Sequence, residues 1–203
     1  MTKREEILTV AATQFAERGY QSTTLDQIAE KMGFTKPAIY YYFSSKEQML
    51  VEIFEQIMER YAQSARSIAE SELPPAVKLQ RLFENHIDQV VTNTAWTTIF
   101  FQEEGNLPQA KREAIREAKR EYDRLLERVY EAGVREGAFK KAESHVVISG
   151  IIGLANWLYT WYDPQGRVAP EGVKALYWEM VSRGLFAPGG RARSTGRRRA
   201  RAK

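Results

Sequence analysis

The chain has 203 residues, 43% of them apolar and 28% charged, which is enough to bury a sizeable core and excludes a fibrous or wholly disordered protein. It has no cysteine, no run of about 18 apolar residues and no apolar secretory signal, so we expect a cytoplasmic protein without disulfides or a transmembrane helix. The net charge of +4 arises in residues 188–203, a predicted disordered tail with seven of the 30 basic residues and no acid. A nucleic-acid function must therefore be argued from local charge.

A hydrophobic period near 3.6 runs through nearly the whole chain and predicts an all-α protein of about nine helices. The first helix is predicted to end before Gly19, a residue that suits the left-handed turn after a helix. Thr24 with Gln27, and Ser45 with Gln48, fit capping boxes that open two further helices. The predicted helices are 3–18, 25–32, 36–43, 46–68, 76–94, 97–105, 109–135, 142–162 and 170–185.

The strongest local signal lies between Thr24 and Phe43, where two short helices are joined by a turn at Gly33. This spacing is typical of a helix-turn-helix that reads DNA. The second helix needs only Ile39 and Phe43 inward, which leaves three consecutive tyrosines, 40–42, largely outward. Their hydroxyls can donate to phosphates and their rings can lie along the DNA backbone or thymine methyls. A bundle whose tyrosines pack against a neighbouring helix is the alternative.

The segments Thr23–Ala29, Gly33–Phe43 and Lys46–Glu47 closely resemble the signature of the TetR/AcrR family of repressors. The resemblance implies a three-helix DNA-binding domain over 1–47 and a helical ligand-binding and dimerisation domain over 48–187. It also implies contacts to double-stranded operator DNA from seven residues: Thr24, Thr35, Lys36, Ala38, Tyr40, Tyr41 and Lys46.

The last two long helices, 142–162 and 170–185, are implied by the resemblance to pair with those of a second copy as a four-helix bundle. The sequence agrees, because apolar residues cover almost the whole girdle of the first of these helices, so it should be buried on two sides. Gly150 and Gly153 would allow close helix approach. A two-fold homodimer also suits a palindromic operator.

Residues 150–167 look like the ligand-domain stretch of the TetR-family branch that responds to acyl-CoA thioesters, the FadR-type repressors of fatty-acid degradation. The resemblance implies a medium- or long-chain acyl-CoA effector; another hydrophobic or aromatic molecule, as for an efflux-pump regulator, is the alternative. Asn156 is a polar residue on an apolar helix and needs a partner. CoA phosphates require cations, which the helix over 109–135 offers in abundance. The candidate effector-binding residues are Phe100, Tyr122, Asn156, Trp157 and Trp161.

Other chemistry has little support. The chain lacks the motifs of serine hydrolases, P-loop enzymes and dinucleotide-binding enzymes, so we expect no enzymatic activity and no cofactor. His86 and His145 are far apart and no carboxylates stand at ligand spacing, so no metal site is expected. A nonspecific DNA-compacting protein remains an alternative because of the basic tail. In the repressor hypothesis, the ligand moves the 109–135 helix, which moves the 46–68 helix and the DNA-binding helices.

Overall fold

A computed structural model describes residues 2–186 and confirms the all-α prediction. Within that range, the only pairing of extended backbone is a single bridge between Phe139 and Phe186. No helix in the described part of the chain is long and apolar enough to cross a membrane. The predicted tail, 188–203, lies outside the described residues. The helices are α1 (Lys3–Arg18), α2 (Leu25–Lys31), α3 (Lys36–Tyr42), α4 (Lys46–Ala69), α5 (Pro75–Thr92), α6 (Thr94–Gln102), α7 (Gln109–Arg135), α8 (Ser144–Asn156), α9 (Leu158–Trp161) and α10 (Pro170–Leu185), with a 3-10 turn at Glu104–Asn106.

Both hydrogen bonds of the predicted capping box are present at α2, but only one of the two is present at α4. The Thr24 hydroxyl accepts from the Gln27 backbone N–H at 3.2 Å, while the Gln27 side chain accepts from the Thr24 N–H at 2.9 Å. At α4, Ser45 accepts from the Gln48 N–H at 3.1 Å, but the Gln48 side chain accepts from the N–H of Ser44 instead. Both helices are thus started by local side-chain bonds that replace missing backbone partners.

Helix α4 joins the two halves of the molecule. It packs against α1 in the N-terminal half and against α5 and α7 in the C-terminal half. Its apolar face is fully buried at Met49, Leu50 and Ile53. A movement of α4 relative to α7 therefore has a direct mechanical route to the first three helices.

The predicted single helix over 142–162 is broken at Trp157, which is a correction to the sequence analysis. The Trp157 carbonyl accepts two bonds from Thr160, one from its backbone N–H at 3.1 Å and one from its hydroxyl at 2.7 Å. This tighter pairing replaces the α-helical ladder over one turn. The remaining helix, α8, buries Ile148, Ile151 and Ala155, and it packs against α5 and α7.

Candidate DNA-binding surface and effector cavity

Helix α3 is anchored on one side and bare on the other. Ile39 and Phe43 are completely buried, whereas Tyr41 is 83% exposed and Tyr40 is 46% exposed. The Tyr41 ring meets Tyr42 edge-to-face with 5.1 Å between ring centroids. Large exposed aromatic side chains on a short anchored helix form a surface suited to a partner.

The N-terminal turns of α2 and α3 meet at an ion pair. The Lys36 ammonium lies 2.8 Å from the Asp26 carboxylate, and both side chains are more than half exposed. The hydrogen bond that Lys36 donates to Asp26 raises the pKa of Lys36. Thr24 and Thr35 are also exposed, and Ala38 is half-buried. Thr35 occupies the N-cap of α3 without a side-chain hydrogen bond, so its hydroxyl is not used for capping.

Lys46, one of the predicted DNA contacts, is hydrogen-bonded within the protein. Its ammonium donates to the carbonyls of Tyr20, Gln21 and Thr23 at 2.8, 3.0 and 3.1 Å, and it lies 4.5 Å from the centre of the Tyr20 ring. A lysine ammonium has three donors, so all of them are used inside the protein. Lys46 ties the loop between α1 and α2 to the start of α4.

Sequence reasoning missed Arg4, which holds the end of α3 in place. Its guanidinium forms an ion pair with Glu52, donates to the Tyr42 carbonyl and lies 4.0 Å from the centre of the Phe43 ring. The arginine therefore links α1, α3 and α4. Because its partners are 38 to 48 residues away along the chain, no local pattern announces the contact.

A cavity of about 200 Å³ lies among α4, α5, α6, α7 and α8. Three of the five predicted effector residues line it, namely Phe100, Tyr122 and Asn156. The other two do not, since Trp157 is 63% and Trp161 is 51% exposed on the outer surface. The complete lining is Met58, Tyr61, His86, Phe100, Phe101, Lys119, Tyr122, Asp123, Ile152 and Asn156.

His86 sits at the centre of the polar side of this cavity, and sequence reasoning did not place it there. Its Nδ1 lies 2.9 Å from the Tyr122 hydroxyl, and its Nε2 lies 2.8 Å from Asn156 Oδ1. Burial lowers the pKa of His86 to about 4, against the opposing effect of the Asn156 hydrogen bond. Burial also raises the pKa of Tyr122 and of Asp123. The imidazole is therefore neutral at pH 7.

A second, open groove of about 640 Å³ runs between α4 and α7 and adjoins the cavity, because Met58 and Tyr122 line both. Its floor is largely apolar, with Ala65, Ile115 and Leu125 among the lining residues. Its cations are Arg66, Lys111, Arg124 and Arg128, and its acids are Glu55, Glu59, Glu70 and Glu121. The structure thus identifies which basic residues of α7 face a groove.

The cavity is also connected to the DNA-binding helices through α6. Lys119, which lines the cavity, pairs with Glu104 at 2.5 Å and lies 4.3 Å from the centre of the Phe100 ring. The adjacent Glu103 accepts from the Tyr20 backbone N–H at 3.3 Å. Asn106 accepts from the Gln21 side chain at 2.6 Å. A second route from the cavity to the DNA-binding helices therefore runs through α6, in addition to the expected route through α7 and α4.

The outer surface of α8 to α10 is unusually apolar. On α8, the exposed positions Val146, Gly150 and Gly153 follow helical spacing toward Trp157. Exposed apolar side chains in such number favour an interaction site. The exposed large apolar side chains are Val146, Trp157, Trp161, Val168, Leu176 and Met180.

Comparisons with known proteins agree with both halves of the molecule. Residues 7–53 match the model of the bacterial regulatory proteins of the tetR family, and residues 72–185 match that of the tetracyclin repressor-like C-terminal domain. The transcriptional repressor KstR2 of Rhodococcus jostii is 30% identical over 188 residues, covering 92% of each chain.

Two solved structures share the fold along nearly the whole chain. The ketosteroid transcriptional regulator KstR2 of Mycobacterium tuberculosis has a TM-score of 0.86 and 27% identity, covering 92% of this chain and 96% of its own. AibR, solved in complex with isovaleryl coenzyme A and operator DNA, has a TM-score of 0.79 and 26% identity, covering 92% of this chain and all of its own.

Proposed function

Because the chain belongs to the TetR family of bacterial transcriptional regulators, we propose that it is a homodimeric repressor released from a palindromic operator by an acyl-CoA thioester. A DNA-binding regulator rather than an enzyme is what the family membership establishes. The observation that carries the effector proposal is the small aromatic cavity that opens, past Met58 and Tyr122, onto a groove with four basic side chains. The regulated genes would then serve fatty-acid degradation or related acyl-CoA catabolism.

The cavity suits the acyl part of such a ligand. At about 30 Å³ for each water-sized atom, 200 Å³ holds about seven non-hydrogen atoms, which corresponds to an acyl group of about six carbons. This volume supports a short or branched acyl group rather than the medium or long chain expected from the resemblance. A longer chain would have to continue into the groove between α4 and α7. The AibR complex contains isovaleryl coenzyme A, whose acyl group is of the size that the cavity suits.

The groove between α4 and α7 suits the CoA part of the ligand, which carries the phosphates. The phosphates of CoA need cations, and Arg66, Lys111, Arg124 and Arg128 line the groove. Within residues 2–186, Arg66 and Arg128 form no ion pair with a carboxylate, whereas Lys111 pairs with Glu55 and Arg124 pairs with Glu117. Two cations are thus uncommitted at a position next to the cavity.

The DNA-binding and dimer parts of the proposal rest on surfaces that the described chain leaves uncovered. The exposed Tyr40, Tyr41, Lys36, Thr24 and Thr35 would contact operator DNA. The apolar outer face of α8 to α10 would bury against the same face of a second copy, which sets the spacing of two recognition helices. Effector binding would change this spacing only to the extent that it favours one dimer conformation.

The proposal is tested by fluorescence anisotropy of operator DNA bound to the full chain while butyryl-, octanoyl- or palmitoyl-CoA is added, with free CoA as control. Release at micromolar butyryl-CoA, with free CoA inactive, is expected. Operator binding that survives every thioester would reject acyl-CoA and leave another hydrophobic effector as the alternative. An octanoyl or palmitoyl preference would show that the chain extends beyond the cavity.

A further inference from the structure

Three polar side chains on the cavity wall form a hydrogen-bonded chain with a fixed direction. Tyr122 on α7, His86 on α5 and Asn156 at the end of α8 are joined by contacts of 2.9 and 2.8 Å. The atom of Asn156 in the second contact is Oδ1, which can only accept. His86 Nε2 must therefore carry the proton and donate it to Asn156.

The direction of the hydrogen bond between His86 and Tyr122 follows from the neutral charge of His86. A neutral imidazole has one N–H, so its Nδ1 must accept the second bond, and the Tyr122 hydroxyl must donate it. The chain then runs from the Tyr122 O–H to His86 Nδ1, and from His86 Nε2–H to Asn156 Oδ1.

The Asn156 amino group is left over by this arrangement. Its two N–H donors form no hydrogen bond with any protein group within residues 2–186, since the side chain's one contact there is through Oδ1. The neighbouring polar groups of the cavity do not supply an acceptor. Lys119 carries only donors and is paired with Glu104, and Asp123 makes no hydrogen bond to Asn156. A donor fixed at the wall of a largely aromatic cavity is unpaired until a ligand or water arrives.

We propose that Asn156 determines effector specificity by donating a hydrogen bond to a carbonyl oxygen, and that His86 and Tyr122 are the residues that position its amide. The effector class is a ketone or thioester whose carbonyl is attached to an apolar group of about seven atoms in all. The inference rests on the effector cavity of the proposed function, but it does not require that the effector carry CoA. Tyr61 also lines the cavity with a hydroxyl that has no hydrogen bond within the described residues, so it is the rival donor.

The test compares two probes of equal size, cyclohexanone and methylenecyclohexane, which have seven non-hydrogen atoms each and differ in C=O against C=CH₂. Their dissociation constants are measured by NMR titration of the full chain, for the wild type and for Asn156→Leu and Tyr61→Phe. The expected ratio of ketone to alkene affinity is about fivefold higher in the wild type than in Asn156→Leu, and it is unchanged in Tyr61→Phe. An equal ratio in wild type and Asn156→Leu, or a ratio lost in Tyr61→Phe, would overturn the assignment.

A measurement on the wild type alone guards against a misfolded variant. The side-chain amide protons of Asn156 are expected to shift when cyclohexanone is added and to stay unchanged with methylenecyclohexane. No shift with the ketone would also overturn the inference. Because neither probe contains CoA, a ketone preference combined with no operator release by acyl-CoA would reject the proposed effector while leaving the role of Asn156 intact.

Discussion

In the DNA-binding helices the candidate functional groups lie on the outer surface, whereas in the effector region they lie in the interior. In α1–α3 the interior is apolar and closed, and the functional groups stand outside on α3, with Tyr41 83% exposed. In α4–α10 the polar groups His86, Tyr122 and Asn156 line an internal cavity, while several large apolar side chains lie exposed on the outer surface of α8 to α10. Substitutions at the functional residues of the first region should therefore change binding but not stability. In the second region they should change both.

The largest expected effect comes from the apolar outside of the effector region. Leu176→Glu together with Met180→Glu would place two charges on α10 where the second copy is expected to pack. The dimer should dissociate, and operator affinity should fall by about 10²- to 10⁴-fold because two half-sites no longer act together. Sedimentation and operator anisotropy measure the two effects, with Ala142→Glu, an exposed loop position, as control. A double variant that stays dimeric would place the interface elsewhere.

The next effect is the pH dependence set by the buried His86. Its pKa is about 4 in the folded chain and about 6.5 unfolded, so the unfolded chain binds the proton first. Stability is complete above pH 6.5 and falls by about 3 kcal/mol as the pH drops to 4. In His86→Gln this part of the slope should vanish in urea unfolding curves, whereas His145→Gln, at an exposed position, should keep it. Identical slopes in wild type and His86→Gln would mean that His86 is not buried in the neutral form.

On the DNA-binding side, Tyr41→Ala and Lys36→Ala should each weaken operator binding by about 1–3 kcal/mol, or roughly 10- to 100-fold. Unfolding free energies should stay within about 0.5 kcal/mol of the wild type, because both side chains are exposed. Lys141→Ala removes the same charge from an exposed loop far from α3 and is the control. Unchanged operator affinity in both variants would remove α3 as the recognition helix.

The smallest effect is expected at Lys46. This residue is a predicted DNA contact, but its substitution should change stability. Lys46→Met removes three hydrogen bonds to carbonyls and should lower the free energy of unfolding by about 1.5 kcal/mol. Lys31→Met, on α2, is the control for loss of a lysine charge. If Lys46 instead served only a phosphate, stability would be unchanged and the salt dependence of operator binding would weaken by about one ion.

The same contrast explains how much of the structure could be predicted from the sequence alone. The DNA-binding helices depend on signals only a few residues apart, such as the Thr24–Gln27 capping box and the turn at Gly33, whose φ of 67° favours glycine. The predicted fold is confirmed for that reason, as is the outward position of Tyr40 and Tyr41, whereas Tyr42 is half-buried against the core. The contacts of Lys46 within the protein were not predicted, because its acceptors lie 23 to 26 residues away along the chain.

The effector cavity depends on contacts between residues far apart in sequence. His86 meets Tyr122 and Asn156 across 36 and 70 residues, and nothing near His86 in the sequence announces either contact. The sequence predicted Phe100, Tyr122 and Asn156 on the wall of the cavity, but not His86. Trp157 and Trp161 lie on the outer surface, and the helix predicted over both is broken at Trp157.

The central claim, that occupation of this cavity controls operator release, is tested most directly by filling it. Ile152→Trp would place a larger side chain into the cavity from α8 while leaving α3 untouched. Operator anisotropy would be followed for this variant and the wild type as butyryl-CoA is added. We predict that the variant either binds operator without releasing it at any thioester concentration or, if the added ring mimics the ligand, binds operator weakly from the start. Normal operator binding with release at the same butyryl-CoA concentration as the wild type would contradict the account.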